Sequence, residues 1–176
     1  MHKIVLNLSS ILICLIPISL LTGPFLPDLF VCIVGISIFF IIIKDKKWNY
    51  INNNFSIFLI VFYLYLLLSS FLSSSIIESL ESSLFYFRFG LFALSLSFLI
   101  DHKENFRKLF FYSLLLSFII CLLAGYYQYL FQESIFGYQN EDETRLFLPF
   151  DDRMILGGYL SRLFPLLIAL FFVSTS

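Results

Sequence analysis

A chain of 176 residues with 60% apolar and 13% charged side chains and a mean hydropathy of +0.93 has about half the charge of a soluble surface, where about 25% of residues are charged. Intrinsic disorder is excluded as well, since it needs low hydrophobicity with high net charge and the formal net charge here is only −1. Lipid is the solvent that this composition fits, and no nucleic-acid partner is expected.

In chain order, the uncharged run 4–27 predicts a first span over 4–22. It begins like a signal peptide. No small-x-small cleavage pattern follows, however, and another apolar segment starts at once, so an uncleaved span is expected. The run 29–43 needs Leu26, Pro27 and Asp28 to reach membrane length, which predicts a second span over 26–43. The run 48–77 predicts a third over 54–73, and the Ser-rich patch 69–83 reads as a short outer hairpin with flanking helix ends. Spans over 83–100 (with Arg88), 108–131 and 154–175 (with Arg162) complete the series. About 17–25 mostly apolar residues cross a bilayer as a helix, and runs of this length without alternation are not barrel strands. The expected fold is all-α: one transmembrane domain, a polytopic bundle of about six helices.

The positive charges divide the loops between two faces. Lys3, Lys44, Lys46, Lys47, Lys103, Arg107 and Lys108 fall on one side with three acids, while the other side holds four basic residues and nine acids. The positive-inside rule then puts the N-terminus and the 44–53 and 101–107 loops in the cytoplasm. Segments 23–25, 74–82 and 132–153 face outward. The last of these, with its acidic triplet at 141–143 and an apolar second half, is expected to lie along the membrane surface.

Few groups are suited to metal or covalent chemistry. Cys14, Cys32 and Cys121 all fall within spans, odd in number and without CxxC spacing, so neither a disulfide framework nor a zinc site is expected. His2 and His102 lie far apart in sequence and read as solvated interface residues. Asp151 and Asp152 precede an apolar run, as helix-capping acids do. Tyr126, Tyr127, Tyr129 and Phe131 read as an outer aromatic belt, with Trp48 and Tyr50 as its inner counterpart.

The arginines are more informative. All six lysines are on the expected cytoplasmic side, while Arg88, Arg145, Arg153 and Arg162 are on the outer half. Any cation satisfies the topology rule, but the planar guanidinium fork is what bidentate recognition of phosphate prefers. The four outer arginines therefore form a candidate anion site. Gly158, Pro165 and Ala169 share a helical face with Arg162. Small residues mark helix–helix contacts in membranes, so this face, and Arg162 with it, is expected to turn into the bundle.

The stretch RLFLPFDDRMILGGYLSRLFP at 145–165 resembles the O-antigen ligase and polymerase family, whose pattern is of the type R-x-x-G-x-F-x-D-E-x-x-x-G-x-Y-L-x-R-x-x-P. Matches fall at Arg145, Phe150, Asp152, Gly157, Tyr159, Leu160, Arg162 and Pro165; departures fall at Leu148 and Arg153. Ser83 to Arg88 is similar, more weakly, to an arginine-bearing earlier span of such proteins. The resemblance implies a multi-pass protein of the bacterial inner membrane acting on undecaprenyl-pyrophosphate-linked glycan at the periplasmic face, surrounded by membrane lipids. It implies glycosyl transfer to lipid A–core or to another repeat, without cofactor, metal or nucleotide sugar. In that family the large catalytic loop lies in the second half. This chain is thus expected to be an N-terminal part, with Arg145, Arg162, Arg88 and Arg153 binding the lipid-linked pyrophosphate and no catalytic residue assigned. The competing reading is part of a transporter or flippase for an anionic lipid or solute, which predicts ionisable groups at the bilayer midplane.

Overall fold

The computed structural model describes residues 2–131 and 156–175, and among them every regular element is helical. The elements are α1 (His2–Ser19), α2 (Phe25–Lys44), α3 (Asn54–Phe71), α4 (Ile76–Leu84), α5 (Phe87–His102), α6 (Phe106–Phe131) and α7 (Leu156–Thr175), with 3₁₀ turns at Leu20–Thr22 and Trp48–Tyr50. Five segments are long and apolar enough to cross a membrane: α1, α2, α3, Ile76–His102 and α6. Within α7, Gly157–Phe172 is a shorter apolar helix. The protein is an all-α, multi-pass membrane protein. Its large apolar side chains are widely exposed, α3 most of all, with Phe58, Val61, Leu64, Tyr65 and Leu68 all turned outward. A helix that is apolar all round suits a lipid surround.

The first, second, third and fifth predicted spans agree with the helices; of the sixth, residues 154 and 155 lie outside the described ones and Gly157–Phe172 is a shorter apolar helix. The fourth differs. That span is expected to begin at residue 83, but α5 begins at Phe87, and a separate amphipathic helix, α4, occupies the expected hairpin. The break falls at a pair of serines. Ser82 Oγ donates to Glu78 O at 3.1 Å and Ser83 Oγ to Leu80 O at 3.3 Å, the kind of side-chain bond that competes with a helix. The backbone then tightens, with Tyr86 N–H on Ser83 O at 3.1 Å and Phe89 N–H on Tyr86 O at 3.0 Å. The 16 residues of α5 rise only about 24 Å, short of the about 30 Å hydrocarbon core. The passage therefore draws on both α4 and α5.

By its contacts the chain divides into two compact units, residues 1–13 with 29–104 and residues 14–28 with 105–176. In the first, Val34, Ile38 and Ile42 of α2 and Phe98 and Leu99 of α5 are fully buried. Gly35 sets the approach of α2 to α5: a Cβ there would lie 3.2 Å from Leu91 Cβ. Asn53 caps α3, accepting from Ser56 N–H at 2.8 Å.

In the second unit α6 and α7 pack along each other, with Leu114, Leu163 and Leu167 at the centre. The last four carbonyls of a helix lack intrahelical partners, and in α1 that of Pro17 is met by side chains of α6 and α7, with a further tie one turn earlier at Cys14. Ser113 Oγ donates to Cys14 O, Ser117 Oγ to Pro17 O at 3.0 Å, and Tyr159 Oη to Pro17 O at 2.7 Å. Ser117 and Tyr159 also lie 3.0 Å apart. Tyr159→Phe removes the bond to Pro17 O and the contact with Ser117 Oγ while keeping the ring, so it should lower thermal stability by at least the about 0.5–1.5 kcal/mol of one neutral bond. A thiol-reactive dye reading the buried Cys14 and Cys121 during melting measures this, and a melt identical to wild type would contradict the clasp.

Candidate functional site

The four outer arginines divide as follows. Arg145 and Arg153 lie outside the described residues, as do the Asp151–Asp152 pair and the 132–153 segment. Arg88 belongs to the first unit and Arg162 to the second. Arg88 sits at the start of α5, half-buried, with its guanidinium carbon 4.9 Å from the centre of the Phe89 ring.

Arg162 corrects an expectation. Its small-residue face does not turn inward: Gly158, Arg162, Pro165 and Ala169 are all exposed. The packed face is the one carrying Tyr159, Leu163 and Leu167. Two physical reasons set this rotation. Leucine buries more apolar area per contact than glycine or alanine. The Tyr159 hydroxyl also reaches the orphan carbonyl of Pro17 only from that side. Arg162 is therefore presented outward from a stretch of bare backbone, where a Cβ at Gly157 or Gly158 would meet nothing within 4 Å.

The aromatic residues at the end of α6 are exposed. Tyr126 and Tyr129 are 64% and 68% exposed, and the Tyr127 and Phe131 rings lie 4.7 Å apart. Gln128, between them in sequence, turns inward and is buried.

At the other end of the first unit, the 44–53 loop is tied down by groups that sequence reading left solvated. His2 Nδ1 lies 3.4 Å from Asp45; beside the loop, the Lys103 ammonium at the end of α5 donates to Asn7 Oδ1 of α1. Lys47 Nζ lies 2.6 Å from His102 Nε2, and His102 Nδ1 lies 2.8 Å from Phe98 O. A carbonyl only accepts and an ammonium only donates, which sets the neutral imidazole with its proton on Nδ1. The Phe98 ring stacks on His102 at 4.1 Å and lies 4.9 Å from the Lys47 ammonium. Tyr50 meets Phe98 edge-on at 5.0 Å and donates to Asp101 Oδ2 at 2.9 Å. Partial burial, then the bond to Asp101 and its negative charge, raise the Tyr50 pKa. The phenol thus remains a donor at neutral pH, and the bond is lost only as strongly alkaline solution ionises it.

No three His, Cys, Asp or Glu side chains come together among the described residues as a metal site would require. No family model, curated protein or solved structure matches the chain.

Proposed function

We propose that this protein is the N-terminal part of an O-antigen ligase-like protein of the bacterial inner membrane, serving lipopolysaccharide or surface-polysaccharide assembly. In this reading it holds undecaprenyl-pyrophosphate-linked glycan at the periplasmic face, the 44–53 loop is cytoplasmic, and Arg145 and Arg162 contact the pyrophosphate, helped by Arg88 and Arg153. The observation that carries the reading is the 145–165 run, in which arginine, tyrosine, glycine and proline recur at the spacing of that family. The rotation of α7 supports it. Tyr159 of the run is the residue that docks the helix, and Arg162, three positions on, is left open to a ligand. The transporter alternative draws no comparable support, because no Asp, Glu, Lys or Arg is buried among the described residues.

Removing the coding sequence from its native host tests the reading. Undecaprenyl-pyrophosphate-linked glycan should accumulate, and glycan-bearing lipopolysaccharide or surface polymer should disappear. An unchanged surface glycan with no accumulated lipid-linked intermediate would contradict it.

A further inference from the structure

The Ser-rich patch, read from sequence as no more than a hairpin, folds into a cup. Between the end of α3, α4 and the start of α5 lies a cavity of about 480 Å³, lined by seven serines together with Glu78, Tyr86 and Leu66. Ligand sites generally enclose about 300–1,000 Å³, and a single water occupies about 30 Å³. The hollow is open, with Ser75, Glu78 and Ser82 exposed, and its volume admits a small organic molecule lying against the surface.

The serines have two different jobs. Ser70 and Ser83 are buried and bonded to each other at 2.9 Å, a clasp between α3 and α4 of the kind that joins membrane helices. The rim serines are arranged otherwise. Ser73 Oγ accepts from Ser79 Oγ at 2.9 Å and from Ser75 N–H at 3.3 Å, which uses both lone pairs and leaves its proton to donate into the cup. Glu78 places a carboxylate on the wall. Tyr86, half of whose surface is exposed, adds an aromatic face beside a hydroxyl.

We propose that this cup binds a neutral sugar. A carboxylate with no lining cation repels phosphate and carboxylate ligands. Hydroxyls that donate beside a carboxylate that accepts match the vicinal hydroxyls of a pyranose, and the Tyr86 ring suits its apolar C–H face. The cup shares no residue with the arginine site, so this inference goes beyond the pyrophosphate reading and stands or falls separately from it.

The test uses the purified 176-residue chain in phospholipid nanodiscs, with methyl glycosides of glucose, galactose and N-acetylglucosamine at millimolar concentration. Saturation-transfer NMR should detect contact with at least one glycoside and none with inorganic phosphate. Glu78→Gln and Ser73→Ala should each weaken binding by about tenfold, as expected for one hydrogen bond to or beside a charged group, while Ser97→Ala should leave it unchanged. Circular dichroism checks that each variant keeps its helices, and Tyr86→Leu offers a substitution outside the serine network. Absence of transfer to all three glycosides in the wild-type chain would overturn the proposal. Displacement of the bound glycoside by phosphate, or equal binding in every folded variant, would do the same.

Discussion

Arg162→Lys in the intact protein, at matched membrane abundance, should reduce glycan transfer by about 10–100-fold, the range set by one or two hydrogen bonds to a charged group. The substitution keeps the positive charge and a long flexible stem but loses the planar fork that gives phosphate oxygens two parallel bonds. The packing of α7 makes the experiment clean. Tyr159, Leu163 and Leu167 face α6, while Arg162 is exposed, so the variant should insert and melt as wild type does. An arginine that merely snorkels to the headgroups would tolerate lysine, which reaches the interface equally well. Arg145→Lys should behave in the same way. Unchanged transfer in both would return the two residues to a purely interfacial role.

Gly35→Leu should destabilise the first unit. At Gly35 even a methyl group would sit 3.2 Å from Leu91 Cβ and 3.6 Å from the backbone at Leu91 and Phe92. A methyl can be admitted by a small shift of Leu91, but an isobutyl group has nowhere to go between fully buried Val34 and Ile38. Overpacking of this kind costs about 1–3 kcal/mol, a fall in melting temperature of about 4–10 °C. Gly35→Ala should fall between the two. A Gly35→Leu protein that melts with wild type would mean that α2 and α5 do not approach closely at this point.

The helices were legible in the sequence because hydrocarbon demands long uncharged runs, and such runs are visible without any knowledge of packing. The α4–α5 break was harder to see. Ser82 and Ser83 read simply as polar residues at a helix start, whereas they lie in the last turn of α4, with α5 beginning only at Phe87. The face that α7 buries was misread for a related reason. Small residues allow close approach, but Tyr159 had a specific acceptor in Pro17 O, 142 positions away in sequence, and no local pattern announces such a partner. The same limit hid the ties of His2, His102 and Tyr50 to the 44–53 loop and its surroundings. The arginine pattern needed no tertiary information, because the separation of arginine from lysine is a property of the sequence itself.

The central claim is that Arg145 and Arg162 recognise a lipid-linked pyrophosphate, and native mass spectrometry of the protein released from nanodiscs tests it most directly. With undecaprenyl pyrophosphate and undecaprenol supplied at equal concentration, the account predicts a retained adduct of the pyrophosphate alone, weakened in Arg162→Lys. Equal retention of the uncharged alcohol, or an adduct indifferent to Arg162→Lys and Arg145→Lys, would contradict it.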